Sequence, residues 1–309
     1  MANRMVIDSD TAADDCFAIM VGLRHPSASL EAVTIVAGNV PFPQQVENAL
    51  LTMDACHRTG STPLYEGAAR PLFRPWHGAS AHGDGKGNHD FTRARGHAEQ
   101  ERAVSALLRI VDENPGEIDL VTIGPLTNVA MAVAQDRDFV RKVRSLTIMG
   151  GCDDGIGNIT AAAEYNFWVD PEATRVVLEA GFYPTIVSWT LVREQALWDD
   201  AMLERIAGID SDMARFFTIV NRPNRVHNET VGLPGSTHPD SLTAMLVVRP
   251  DLVLEASDAY VAVETAGELT RGYSLMDRRR DRHEPNARVV DRIDAEGFYA
   301  AMVELLGTV

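Results

Sequence analysis

Met5-Val-Ile-Asp8-Ser-Asp10-Thr-Ala-Ala-Asp14-Asp15-Cys16-Phe-Ala-Ile-Met20 sets four aspartates into eight residues, between a short apolar run and a longer one. Residues 5–7 read as a buried strand, and residues 14–24 carry the apolar spacing of a helix. A strand, a small-residue turn and a helix in that order bring several carboxylates to the carboxyl end of one strand. Like charges at such spacing repel unless a cation sits among them or some groups stay protonated. Oxygen donors without a useful His or Cys spacing point to calcium or magnesium rather than zinc. A lone Asp at a helix start would only cap it and complement its dipole; four acids together ask for more.

Outward from this stretch the same alternation continues. Strand-like runs at 32–36, 62–65, 118–123, 146–149 and 185–187 alternate with helix-like ones at 43–58, 99–111, 125–134 and 171–180. Pro43, Pro125 and Pro171 fall where a first-turn proline is tolerated, and Gly181 follows the last of these helices as a stop. The rhythm predicts an α/β fold: one Rossmann-like domain over 1–309, with a doubly wound, mostly parallel sheet. Residues 71–88, rich in Gly, His and Pro, read as a long loop of the kind that often serves as a lid. After Asp199 the pattern turns helical. Residues 221–230 are polar, contain Pro223, show no clear period and read as a loop. Residues 260–264 and 272–276 predict a C-terminal hairpin, and 295–306 a closing helix. The basic run Arg278-Arg279-Arg280-Asp281-Arg282 reads as a solvated turn.

Composition narrows the partners. With 28 basic against 44 acidic residues the formal charge is −16, which repels phosphates and argues against nucleic-acid or anionic-membrane binding. A neutral or cationic small ligand is easier to admit. The three cysteines, Cys16, Cys56 and Cys152, lack a CxxC spacing and read as reduced, buried thiols. No apolar leader precedes the first strand, and no later run offers about 18 apolar residues; the expectation is a cytoplasmic protein.

Further motifs follow in order: Ala37-Gly38-Asn39, Tyr65-Glu-Gly-Ala-Ala-Arg-Pro71-Leu, His82-Gly-Asp84-Gly85, Gly124-Pro-Leu-Thr-Asn128, Met149-Gly150-Gly151, Gly157-Asn158, Ala163-Glu164-Tyr165-Asn166 and Val169-Asp-Pro-Glu172-Ala. With the opening DxDxxxDD pattern, this set resembles the inosine-uridine-type nucleoside hydrolase family across nearly the whole chain. The resemblance implies calcium-dependent hydrolysis of the N-glycosidic bond of a ribonucleoside, by a homodimer or homotetramer. It implies Ca²⁺ held by Asp10, both oxygens of Asp15, the Ile123 carbonyl and Asp240, with Asp10 as general base for the attacking water. Asp14 and Asn166 would grip the 2′ and 3′ hydroxyls, Asn158 and Glu164 the 5′ hydroxyl, and Asn39 would position sugar and water. Met149 and Asp240 would also line the substrate.

Plainer readings stand beside these. Asn39 and Asn158, each after a glycine, could form turns, Glu164 and Asn166 could share the outer face of a strand, and Tyr165 could fill the core rather than stack on the base. At the leaving group this chain departs from the better-known pattern. Many relatives carry His directly before the late acid, whereas here the order is Thr237-His238-Pro239-Asp240. His238 and His227 are equal candidates for protonating the departing base, with Arg222 and His82 as further ones.

Two rival readings remain. Asp8-Ser-Asp10-Thr11 partly fits the DxDxT signature of haloacid-dehalogenase-like phosphatases, with the threonine one residue early, and would make Asp8 a nucleophile working with magnesium. That chemistry needs a downstream lysine, and among only Lys86 and Lys142 the second is the sole candidate. A noncatalytic nucleoside or pentose binder would keep the sugar contacts and lack the acid.

Overall fold

A computed structural model describes residues 2–87, 89, 91–279 and 281–308. The first half of the chain runs β1 (Asn3–Ser9), α1 (Ala13–Arg24), β2 (Ala28–Ile35), α2 (Phe42–Ala55), β3 (Leu64–Glu66), α3 (Ala103–Glu113), β4 (Ile118–Thr122), α4 (Thr127–Gln135), α5 (Phe139–Lys142) and β5 (Ser145–Met149). Then come α6 (Tyr165–Val169), α7 (Pro171–Glu179), β6 (Thr185–Val187), α8 (Trp189–Gln195), β7 (Leu197–Trp198), α9 (Asp200–Ala207) and α10 (Asp212–Thr230). The chain closes with β8 (Ser236–Thr237), α11 (Pro239–Val248), β9 (Val253–Val263), β10 (Ser274–Asp277), β11 (Ala287–Ile293) and α12 (Ala295–Leu306).

Among the described residues the strands form a nine-stranded sheet, β10-β9-β11-β6-β5-β4-β1-β2-β3, and a small β7-β8 ladder. From β3 through β11 the neighbours are parallel, and β9 and β10 add the antiparallel hairpin at one edge. The doubly wound expectation is met. Chain order reverses between β1 and β4, so the loops leaving these strands diverge and open a crevice at their carboxyl ends. Asp10 and Ile123 sit at that point, directly after the two strands.

The core explains the elements on either side. β1 is buried from Met5 to Ser9, and Asp8 lies in register between Thr34 of β2 and Thr122 of β4. α1 is buried from Ala13 to Gly22, and its Phe17 stacks on Phe217 of α10 at 4.0 Å.

Three differences from the sequence reading have physical reasons. Residues 221–230 are not a loop but the second half of the 19-residue α10, with Pro223 inside it. A proline there forfeits the hydrogen bond to the Ile219 carbonyl, yet burial of Phe216, Phe217, Val220, Asn221, Asn224 and Asn228 along one side holds the helix together. β11 escaped notice because register shifts near Arg292 interrupt its alternation. Arg278 is no free turn residue: it pairs with Asp153 and Asp291, both at 2.7 Å, while Arg279 pairs with Asp277 at 2.7 Å. Arg280 and Asn88, named in the sequence reading, lie outside the described residues.

The long loop is fastened over the crevice. Leu72 N donates to Asp170 at 2.8 Å, Trp76 Nε1 to the Gly38 carbonyl at 2.7 Å and Ala79 N to the Asn39 carbonyl at 2.8 Å, while the Gly85 carbonyl accepts from Asn48 at 2.8 Å. A single 3₁₀ turn, Ser80–His82, interrupts it. No helix among the described residues is long and apolar enough to cross a membrane.

Candidate active site

A cavity of about 320 Å³ opens at the carboxyl ends of the strands. Asp14, Asn39, His82, Ile123, Met149, Asn158, Glu164, Tyr165, Asn166, His227 and Asp240 all line it. Asp10 and Asp15 lie beside them, sealed from solvent. His238 and Arg222, both expected there, do not line the cavity.

The acids come together as the opening stretch requires. Asp10 Oδ2 accepts from the Asn39 backbone N–H at 2.8 Å, while its Oδ1 is buried without a partner. Asp15 Oδ1 accepts from Ser9 Oγ at 2.7 Å, and its Oδ2 from Ala12 N at 3.0 Å and Asn39 Nδ2 at 3.1 Å. Burial, and then the Asp15 charge, lift the Asp10 carboxyl well above its ordinary range. Burial likewise carries Asp15 to about 6, and burial with the charges of Asp15, Asp14 and Asp10 raises Asp240 strongly. Each of these carboxyls gains by exchanging its proton for a cation.

The donor set fits a hard ion, but the side chains as they stand do not form a closed cage. Among the described residues no three His, Cys, Asp or Glu groups are disposed to hold a metal. Asp15 is engaged by its three donors, and the Ile123 carbonyl accepts from Asn166 Nδ2 at 3.1 Å. What fits is the chemistry: the free Oδ1 of Asp10, the crowded carboxylates and an all-oxygen surround.

Two glycines make room for Asp10. A Cβ on Gly38 would overlap the Asp10 carboxylate, and one on Gly124 would come within 2.8 Å of its Oδ1. Gly38→Ala is therefore expected to displace the carboxylate and cut turnover about 10²-fold or more, while circular dichroism stays that of the parent. Parental kinetics in this variant would show that Asp10 needs no such space.

Asp14 serves the architecture as well as the cavity. Its Oδ2 accepts from the backbone N–H groups of Asp240 at 2.5 Å and Ser241 at 3.1 Å, and its Oδ1 from Ser241 Oγ at 3.0 Å. α11 lacks a cap from its own N-cap side chain, so the first turn of α1 caps it across the fold and brings Asp240 to Asp15. His238 Nδ1 lies 3.1 Å from Asp14 Oδ1. Its ring is fully buried and stacked 3.8 Å from Trp198, with Phe217 and Phe17 beyond. Pro239 takes the cavity-facing place and His238 points into the core. That corrects the equal weight given to His238 and His227.

Glu164 and Asn166, expected as the outer face of a strand in the plainer reading, are not on a strand. Glu164 caps α6, accepting from Asn166 N at 2.8 Å and Phe167 N at 3.2 Å, and also from Gly151 N at 2.9 Å. Burial outweighs these donors and pushes its carboxyl up to about 7. Asn166 Nδ2 is shared between the Ile123 and Met149 carbonyls, at 3.1 and 3.3 Å. Asn158 Oδ1 accepts from Tyr165 N at 2.8 Å, and the Tyr165 hydroxyl donates to the His77 carbonyl at 2.7 Å.

His227 reaches the cavity from α10, facing His82 on the 3₁₀ turn. His82 Nδ1 is buried without a partner, and burial holds its imidazole down at about 4, so it is neutral near pH 7. Arg222 lies on an adjacent surface groove rather than the cavity. Sequence reading missed Asn224, Asn228 and Trp189 in the lining. The first two were detectable, since Asn221, Asn224 and Asn228 recur at helical spacing that Pro223 obscures.

The phosphatase reading finds no support. Asp8 is sealed inside the sheet, its Oδ1 taken by Thr34 Oγ1 at 2.5 Å and Asn128 Nδ2 at 2.7 Å, and it does not line the cavity. Lys142 is paired with Asp112 and Asp136 at 2.5 and 3.0 Å, and its carbonyl accepts from Gly116 just before β4, at the opposite ends of the strands.

An acid-lined cavity at the switch point of a doubly wound sheet is a site for a small polar ligand. The profile of the inosine-uridine preferring nucleoside hydrolases matches residues 5–300, and the chain belongs to that family of ribonucleoside N-glycosidases. It is 31% identical over 316 residues to the pyrimidine-specific ribonucleoside hydrolase RihA of Shewanella sp. (strain MR-7), covering 99% of this chain and 96% of the relative. It is 32% identical to uridine nucleosidase 1 of Arabidopsis thaliana over 89% of this chain and 82% of the relative. Among solved structures, the plant nucleoside hydrolase PpNRh1 superposes with a TM-score of 0.93 at 28% identity, covering 100% of both chains.

Proposed function

We propose that the chain hydrolyses the N-glycosidic bond of a ribonucleoside in a calcium-dependent reaction, with Asp10 as general base. The observation that carries this reading is the buried, unpartnered Oδ1 of Asp10 beside Asp15 and Asp240, at the head of a cavity lined by amides and carboxyls. Asp10, Asp15, the Ile123 carbonyl and Asp240 would hold the ion. When bound, calcium would lower the pKa of the attacking water and orient the ribose diol.

The residues do the rest. Asp10 takes the proton of the water that attacks the anomeric carbon, and the surrounding acids stabilise the positive charge that develops on the sugar. Asn166 and Asp14 face the 2′ and 3′ hydroxyls, Asp14 doing so while it anchors α11. Asn158 and Glu164 receive the 5′ hydroxyl, and Asn39 fixes Asp10 and Asp15 through its backbone and side chain. His227 delivers the proton to the departing base, with neutral His82 beside it. By family resemblance the working form is a homodimer or homotetramer.

The test separates the two histidines. His227→Ala is expected to lower kcat for a natural nucleoside about 10²-fold, yet to spare a nitrophenyl riboside, whose leaving group departs without a proton. His238→Phe keeps the aromatic stack and should affect both substrates alike. Equal loss on both substrates in His227→Ala would remove His227 from the acid role.

A further inference from the structure

α10 forms the wall of the cavity that the ribose contacts leave free. It presents Asn224, His227 and Asn228, at i, i+3 and i+4, all lining the cavity. Both asparagine amides are held one way round. Asn224 Nδ2 donates to the Thr237 carbonyl at 3.0 Å and to Ser236 Oγ at 3.3 Å. Asn228 Nδ2 donates to the Gly235 carbonyl at 2.9 Å and to Thr237 Oγ1 at 3.3 Å. A carbonyl oxygen only accepts, so in each amide the nitrogen must face residues 235–237 and the oxygen must face away. That settles the orientation that an isolated amide would leave open.

The two Oδ1 atoms are therefore fixed acceptors. No described residue donates to either, and neither is sealed off as a buried unpartnered atom. Asn224 is 6% exposed and Asn228 2%, so the little access they have is to the cavity they line. With Asp14, Asn158, Glu164 and Asn166 facing the sugar, the group that meets these oxygens is the base.

We propose that this wall selects ribonucleosides whose base carries an exocyclic amino group over their oxo counterparts, with Asn224 and Asn228 as the residues that determine the choice. The proposal rests on the nucleosidase reading of the same site. An amino group has two N–H donors and can satisfy both oxygens. The oxo counterpart offers only the single ring N–H beside its oxo group, so it can satisfy one of the two oxygens while the oxo group sets lone pair against lone pair at the other. Cytidine should thus exceed uridine, and adenosine should exceed inosine.

The test is kcat/KM for these two pairs on the intact enzyme. The expected ratio is about 10-fold or more in favour of the amino member of each pair. In Asn224→Ala and Asn228→Ala the ratio should fall toward one, whereas a purely structural role would lower both members and keep the ratio. Since a variant could fail to fold, inhibition of the parent enzyme by cytosine against uracil, and by adenine against hypoxanthine, reads the same preference without substitution. Base release from uridine and inosine at rates equal to or above their amino partners overturns the selectivity and leaves the nucleosidase reading standing. No base release from any of the four overturns both.

Discussion

Asp10→Ala is expected to reduce kcat/KM for ribonucleoside hydrolysis by about 10³-fold or more, close to 4 kcal/mol of transition-state stabilisation. The reason is convergence. Asp10 follows β1 at the switch point, its Oδ2 is fixed by Asn39 N at 2.8 Å and its Oδ1 is held free in a buried setting. Removing it takes away the base, one ligand of the proposed ion and the placement of the water together. Asp10→Asn keeps the shape and the bond to Asn39 but cannot take a proton, so it should be nearly as inactive while thermally as stable as the parent or more so, having lost a crowded charge. A variant at Asp10 that retains more than about a tenth of parental rate would remove the residue from its assigned role.

Calcium is expected to stabilise the folded chain, and to do so more at pH 7.5 than at pH 5. Without metal, the folded values of Asp8 and Glu164 stand at about 7 and that of Asp15 at about 6, with Asp10 and Asp240 raised further. The unfolded values lie at about 4. Between the two ranges the folded chain binds more protons than the unfolded one. The stability these groups contribute is therefore complete below about pH 4 and is lost as pH rises through 6 to 7. An ion that replaces the protons of Asp10, Asp15 and Asp240 reverses that loss where they would otherwise ionise. Calcium at about 100 times its Kd adds about 2.7 kcal/mol, visible as a rise in melting temperature over a chelator-treated control. An increment that is the same at both pH values, or absent at both, would contradict binding at these carboxylates.

The start of the chain was legible because its chemistry is local. An apolar strand, four acids and an apolar helix adjoin one another, so Asp10, Asp14 and Asp15 could be placed at a strand end without knowing their distant partners. The hairpin and α12 were readable for the same reason. What could not be read depends on contacts between remote segments. His238 turns inward because Trp198, Phe217 and Phe17 make an aromatic slot for it and Asp14 offers an acceptor. Those partners come from β7, α10 and α1, and no spacing around residue 238 announces them. The same holds for Asp14, whose carboxylate is committed to the first turn of a helix more than two hundred residues away. α10 was misread for the opposite cause: Pro223 is a strong local signal, and it was overridden by packing along one side of the helix.

The central claim is that the carboxylates gathered at the head of β1 hold calcium against the ribose diol of a nucleoside. A crystal structure grown with calcium and a ribose-like inhibitor tests it most directly. The expected result is an ion bonded to Asp10, Asp15, the Ile123 carbonyl and Asp240, with both ring hydroxyls of the inhibitor on it and its base-like group against Asn224, His227 and Asn228. A cavity holding the inhibitor with no ion at those oxygens, or an ion and inhibitor lodged elsewhere, would contradict it.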